Sequence, residues 1–338
     1  MKPAADFDWE GLARLRDAFL RGTAGQEDYW KSEADLSAYD ATFAQRIGWK
    51  WDFVLEDLRQ LGWSPPPGEL VDWGCGTGIA ARASLDHFGA ETFAGVRFFD
   101  RSPAAMEFAT RRAGSRFPGL QVSSGAPSPD TPPGTVLVSH LLTELDPSQT
   151  EQVLERIQDA TAVIWVEPGT YEASLALIAV RERLRERFHC VAPCTHRARC
   201  GILAAGNEPH WCHHFASPPP GVFTDPFWGR FANLLGIDLR SLPLSYLVLD
   251  RRNAIETASD PVRVIGRPRI HKADLRVLAC STDGSVAEHS LFKRHLPEAY
   301  RDAKKDRFAS RQRWIREDGR VIGALRSETS DPEQSPPE

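Results

Sequence analysis

Leu70-Val-Asp-Trp-Gly-Cys-Gly-Thr-Gly78 is a short apolar run that ends in a carboxylate and breaks into three alternating glycines. A glycine-rich break between a strand and a helix lets the backbone turn sharply and approach a ligand closely, at the carboxyl ends of the strands. Taken alone, G-x-G-x-G is a common turn. Asp100 distinguishes this one: it ends the next apolar run, Arg97–Asp100, 22 residues beyond Gly78. A carboxylate there accepts hydrogen bonds from both hydroxyls of a ribose. A loop that only reversed the chain would have no use for it. The candidate cofactor residues are therefore Asp72, Gly74, Cys75, Gly76, Thr77, Gly78 and Asp100. Cys75, inside the loop, reads as facing backbone.

Outward from this stretch, strands and helices alternate. Leu120–Ser123, Thr135–Ser139, Ala162–Val166 and Leu244–Leu249 read as further strands, with helical patterns over Gln149–Ala160 and Tyr171–Arg187. Alternation of this kind predicts a parallel sheet covered on both faces. D-x-G-x-G-x-G followed by a strand-final Asp resembles the class I S-adenosylmethionine methyltransferases more than the dinucleotide oxidoreductases. The expected fold is α/β: a Rossmann-like class I methyltransferase domain over residues 63–252, after an N-terminal helical region over 1–62. Trp9, Leu12, Leu15 and Phe19, then Phe43, Ile47, Trp51, Val54, Leu55 and Leu58, set two amphipathic stripes in that region. Short β-like runs at Val262–Ile265 and Leu275–Ala279 predict a small C-terminal β module over 253–325. Residues 326–338 are Ser-, Pro- and Glu-rich and read as a disordered tail.

Four cysteines, Cys194, Cys200, Cys212 and Cys280, fall after the cofactor loop with the spacing C-x5-C-x11-C and a distant fourth member. In a reducing compartment such thiolates serve as metal ligands or nucleophiles more often than as disulfides. All-thiolate ligation suits zinc or an iron–sulfur cluster, and spacing does not separate the two. Four unrelated buried cysteines are the plain alternative, because free Cys is among the most buried residue types. His196, His213 and His214 lie close in sequence, and Cys190, on an apparent strand, reads as packing.

Val166-Glu-Pro-Gly-Thr170, Val191-Ala-Pro-Cys-Thr-His196, Trp211-Cys-His-His-Phe215, Leu244–Leu249 and Ala279-Cys-Ser-Thr-Asp-Gly284 together resemble the methyltransferase-like proteins of the mitochondrial small ribosomal subunit and their bacterial relatives. The resemblance runs from about Gly68 to Lys305. It implies bound S-adenosylmethionine, a [4Fe–4S] cluster on Cys194, Cys200, Cys212 and Cys280, and a role in assembling the small ribosomal subunit through its rRNA. This chain departs from the pattern at Thr195, where a proline is usual, after Cys200, where a following proline is missing, and in its Ser217–Gly221 proline run.

The net charge of -5 conceals an asymmetry. Between Arg251 and Arg320 there are 17 Lys and Arg against 10 Asp and Glu, an excess of +7 that leaves -12 on the remainder. A basic module on an acidic protein suits a polyanion such as RNA, with Arg267, Arg269 and Lys272 as the candidate contacts; a solvated surface would look the same. Met1–Gly22 carries Asp6, Asp8 and Glu10 and no apolar stretch, and no segment is long and apolar enough to span a bilayer. The expected setting is cytoplasmic, with no membrane partner and a monomer when free.

No catalytic residue stands out. The Asn/Asp-Pro-Pro-aromatic motif of base amino-methyltransferases is absent, and Ser139-His-Leu-Leu-Thr-Glu144 holds its place. Pro193-Cys194 is similar to the nucleophile motif of cytosine C5 enzymes but comes too late in the topology. Three readings follow: an RNA-associated assembly factor with structural or regulatory cofactor sites, an active methyltransferase on rRNA or a ribosomal protein with a structural zinc, and a small-molecule methyltransferase.

Overall fold

The computed structural model describes residues 7–21, 30–128, 130–252 and 260–326. Five strands, β1 (Glu69–Trp73), β2 (Gly95–Phe99), β3 (Val122–Ser124), β4 (Thr135–Ser139) and β5 (Ala162–Pro168), run parallel in the order β3-β2-β1-β4-β5. Three more, β6 (His189–Ala192), β7 (His214–Ala216) and β8 (Leu242–Asp250), extend the sheet. Strand β8 lies antiparallel to β5, and β6 and β7 each pair antiparallel with β8. This is the Rossmann-like class I methyltransferase fold expected from the sequence.

Successive residues of a strand face opposite sides, and both sides are covered here. Leu70, Leu137 and Ile164 meet Trp51, Val54, Leu55 and Leu58 on one face. Val71, Val136 and Val163 meet Leu177, Val180 and Leu184 on the other. The first group of partners belongs to α3 (Phe43–Gln60), which follows α1 (Trp9–Leu20) and α2 (Glu33–Asp40), so the N-terminal helices share the core of the sheet. The remaining helices of this unit are α4 (Ile79–Phe88), α5 (Pro103–Arg116), α6 (Pro147–Ile157), α7 (Tyr171–Leu184) and α8 (Pro226–Leu235). Helix α8 packs Trp228 and Phe231 against Leu12 and Phe43. No described helix is long and apolar enough to cross a membrane.

The C-terminal module is an antiparallel sheet of β9 (Pro261–Ile270), β10 (Asp274–Cys280), β11 (Val286–Phe292), β12 (Arg311–Glu317) and β13 (Arg320–Arg326) in the order β11-β10-β9-β12-β13, with α9 (Pro297–Lys304) between β11 and β12. Val264, Leu275, Val277, Tyr300 and Trp314 form its core. The sequence pattern missed β12 and β13. In Arg311-Gln-Arg-Trp-Ile-Arg-Glu317 only Gln312 and Trp314 turn inward, so the alternation carries a single large apolar residue. The expected strands at 97–100 and 120–123 are each displaced by about two residues, to 95–99 and 122–124. The tail assigned as disordered lies, from residue 327 on, outside the described residues.

Candidate functional site

The carboxyl ends of β1, β2 and β4 open into a cleft of about 930 Å³, within the size range of small-molecule sites. The glycine loop forms its floor. Gly74 and Cys75 N–H groups both donate to the Phe99 carbonyl, at 2.7 and 3.1 Å, which locks the loop onto the end of β2. Asp100 completes the lock: Oδ2 accepts from Gly76 N–H and Oδ1 from Ser102 N–H, both at 2.9 Å. At Gly78 (φ +76°) a Cβ would lie 2.9 Å from both Ala109 Cβ and the Phe98 ring, so this glycine is fixed by helix and strand packing. At Gly76 (φ +48°) a Cβ would meet nothing within 4 Å, so the loop's closest approach to a ligand stays open.

Gly74, Cys75, Gly76, Thr77 and Asp100 all line the cleft. Gly78, taken up by packing, and Asp72 do not, which corrects the place of Asp72 among the candidate cofactor residues. Asp72 lies fully buried beneath the loop, where Oδ2 accepts from Ala81 N–H at 3.2 Å and so serves the open N-terminus of α4, whose capping residue is Gly78. Burial pushes its pKa up to about 7, against the pull of that N–H and of Arg82. Cys75 faces backbone as expected, its thiol 3.7 Å from the Gly76 carbonyl, and burial holds that thiol protonated. Among the described residues, Asp72 Oδ1 and Thr77 Oγ1 are buried without a hydrogen-bond partner. Buried polar atoms are rarely left unpaired. The open cradle at Gly76 and the acid at Asp100 fit a nucleoside-bearing cofactor.

The opposite wall comes from outside the sheet. Helix α3 contributes Arg46, Ile47 and Lys50, and the loop after β4 contributes His140, Leu141 and Glu144. That loop is tethered by Glu167, whose Oε1 accepts from Leu141 N–H and Leu142 N–H at 3.0 Å and from Trp165 Nε1 at 2.7 Å. Burial raises both Glu167 and Glu144 to about 7. Buried Arg82 ties the floor to α2, donating to the Thr77 carbonyl and to Asp40 Oδ1, each at 2.5 Å. Lys50 went unnoticed in the sequence because its neighbours read as core. The available signal was a lysine at the i+7 position from Phe43, on the same face as Ile47 and Val54.

A second constellation joins the two sheets. Cys194 follows β6, Cys212 precedes β7, and Cys280 ends β10. Cys200 and Cys280 are buried together with Ile178, Ile202 and Ile265, and Cys212 packs against this group. Cys280 Sγ lies 3.3 Å from His196 Nε2, and Cys212 Sγ 3.9 Å from His214 Nε2. Burial raises the Cys200, Cys212 and Cys280 thiols, with the Cys194 thiolate as the next cause in each case. Cys194 itself is lowered, by the thiol of Cys190 and by Arg181. Cys190, expected only to pack, therefore supports Cys194. Arg181 is buried on α7, and its Nη2 donates to the carbonyls of His196 and Ala198 at 3.0 Å, so it shapes the cysteine loop as well as balancing thiolate charge.

All six cysteines are free thiols. Among the described residues no three His, Cys, Asp or Glu side chains are drawn closely enough together to hold a single metal ion. The thiols nonetheless act on one another: the Cys194 thiolate raises Cys200, Cys212 and Cys280, with the Arg181 guanidinium beside them.

On the C-terminal module two of the three expected RNA contacts are already engaged. Arg267 pairs with Asp306 at 3.1 Å and lies 4.2 Å over the Phe215 ring, and Arg269 pairs with Glu288. Lys272 is exposed. Tyr300 Oη donates to the His271 carbonyl at 2.6 Å, which brings α9, with exposed Arg301 and its follower Lys305, beside Lys272.

The fold and the glycine-loop cleft define a methyltransferase-like protein. Residues 53–313 match the family described as mitochondrial small ribosomal subunit Rsm22, and the chain belongs to that family. No curated protein matches. Solved structures with a similar course include a putative RNA methyltransferase from Pyrococcus horikoshii (10% identity, 60% of this chain and 83% of that one, TM-score 0.36). A second is an S-adenosylmethionine-dependent methyltransferase from Leishmania major (13%, 72% and 83%, 0.38). A third is magnesium protoporphyrin IX methyltransferase from Synechocystis with bound S-adenosylmethionine (14%, 74% and 100%, 0.37).

Proposed function

We propose that this protein binds S-adenosylmethionine in the glycine-loop cleft, carries an iron–sulfur cluster on Cys194, Cys200, Cys212 and Cys280, and acts on the small ribosomal subunit through its rRNA. The observation that carries the reading is the cleft floor, where an open Gly76 position lies beside a strand-final Asp100. When bound, the cofactor supplies an electrophilic methyl group. Asp100 would accept from its ribose, and the open face at Gly76 would receive the rest. Membership of a small-ribosomal-subunit family and the +7 excess over residues 251–320 support the ribosomal partner. Six unpaired cysteines suit a reducing compartment such as the cytoplasm, where the protein would be monomeric when free.

The four cysteines come from the loop after β6, the approach to β7 and the end of β10, so a thiolate centre would clamp the C-terminal module to the methyltransferase-like domain. Anaerobically purified protein is expected to be brown, with iron and acid-labile sulfide, and Cys280→Ser to lower both and to expose the module to proteolysis after Lys272. Stoichiometric zinc without sulfide would replace the cluster with a zinc site; neither metal in the intact protein would remove the site.

For the RNA, neutralising Lys272, Arg301 and Lys305 together should weaken binding to small-subunit rRNA and flatten its log–log salt dependence by roughly 0.7–0.9 per lost phosphate contact. Full affinity with an unchanged slope would show this face to be merely solvated.

A further inference from the structure

Lys50 Nζ on α3 and His140 Nε2 in the loop after β4 meet at 3.4 Å in the wall of the cleft. Packing explains neither group. Lys50 is buried on a helix face otherwise built from Phe43 and Val54. His140 adopts a left-handed backbone (φ 54°), uncommon for a residue with a side chain, and strain of that kind gathers at functional sites. Its N–H donates to the Val166 carbonyl at 2.8 Å, and Glu167 takes the next two N–H groups, so the backbone that carries the imidazole is held in place.

The charges around the pair come from several elements: Arg46 one turn earlier on α3, Glu167 on β5, Glu144 in the loop and Asp100 across the cleft. Burial, then Arg46, lowers Lys50 to about 7, against the pull of Glu167. Burial, Lys50 and Arg46 hold His140 well below its ordinary range, so the imidazole is neutral. Once deprotonated, the amine can donate to the imidazole Nε2 and still keep a lone pair to spare. A lysine placed to bind an anion would be kept charged, and one in a structural ion pair would be raised.

We propose that Lys50, oriented by His140, is the proton acceptor for methylation of an N–H or O–H group of an RNA nucleotide bound in this cleft. The proposal rests on the S-adenosylmethionine reading. The acceptor's lone pair forms the new bond to the methyl carbon as the carbon–sulfur bond breaks. That bond's electron pair stays on sulfur, which leaves as the neutral thioether of S-adenosylhomocysteine. The acceptor's proton passes to Lys50 Nζ and from the resulting ammonium to water. A ring nitrogen methylated through a free lone pair, such as guanine N7, releases no proton and needs no such base.

The test uses the full chain. Nitrogen-15 NMR of lysine Nζ is expected to show one lysine, absent from Lys50→Met, titrating near 7 rather than near the ordinary value of about 10.4, and moving upward in Arg46→Gln. With radiolabelled S-adenosylmethionine and small-subunit rRNA, the rate at saturating cofactor should rise with pH through the same midpoint, because only the deprotonated amine accepts. Lys50→Met should lower that rate about 10²-fold or more, saturation being checked for each variant by calorimetry, and the methyl should appear on an N–H or O–H position. A Lys50 midpoint near 10, an unchanged rate and pH profile in Lys50→Met, or binding by the wild type without methyl transfer to this RNA would each overturn the proposal. Failure of the wild type to bind S-adenosylmethionine would instead remove the cofactor reading beneath it, a separate result, because the lysine titration is read without cofactor.

Discussion

Arg263→Met is expected to lower the unfolding free energy by about 3–5 kcal/mol, the usual effect of removing one partner from a buried ion pair. Arg263 is almost fully buried, and its Nη1 donates to Asp57 Oδ1 at 3.0 Å. Its Nη2 donates to Tyr246 Oη, which in turn donates to Asp57 Oδ2 at 2.7 Å. Arg311 stands 3.9 Å from the same carboxylate. This network joins α3, β8, β9 and β12, and so the C-terminal module to the methyltransferase-like domain. Burial alone would raise Asp57, but Arg263 and Arg311 hold it down to about 2. Its contribution is therefore complete above the unfolded value near 3.9 and is lost as pH falls towards 2. Urea unfolding of Arg263→Met, and of Asp57→Leu/Arg263→Met, measures this. The double variant should recover part of the loss, because it leaves no unpaired acid facing the site. A loss below about 1 kcal/mol in the single variant would show that the network does not couple the two units.

Gly76→Val and Gly78→Val should separate binding from folding. At Gly76 the added Cβ meets no protein atom within 4 Å, so the variant is expected to stay folded, at the strain of a branched residue with φ +48°, while S-adenosylmethionine binding falls by 10²-fold or more as the approach fills. At Gly78 the new atoms collide with Ala109 and Phe98, and a branched residue at φ +76° is a strong outlier, so the fold itself should be compromised. Calorimetric binding together with thermal unfolding distinguishes the two. Equal binding by Gly76→Val and wild type would place the ligand elsewhere.

The cleft floor was legible because its determinants are local: a strand, a glycine turn and an acid ending the next strand are all written within Leu70–Asp100. The role of Asp72 was not, because whether a carboxylate before the loop faces ligand or the N-terminus of α4 depends on how that helix docks. The cysteine ligand set came from the resemblance; among the described residues no three His, Cys, Asp or Glu side chains gather closely enough to hold one metal ion. Lys50 and the Asp57–Arg263 pair were hidden for a common reason: their partners lie 90 and 206 residues away, and no periodic pattern records such contacts. A separation of 19 residues likewise hid the pairing of Arg269 with Glu288, which local composition had left as available positive charge.

The most direct test of the whole account is calorimetric titration of S-adenosylmethionine into the intact wild-type protein. Saturable one-to-one binding is expected, weakened in Asp100→Ala by loss of the ribose acceptor and of the lock on Gly76, with the variant's overall fold unchanged by circular dichroism. No binding to the wild type, or equal affinity in Asp100→Ala, would contradict a cofactor site in this cleft.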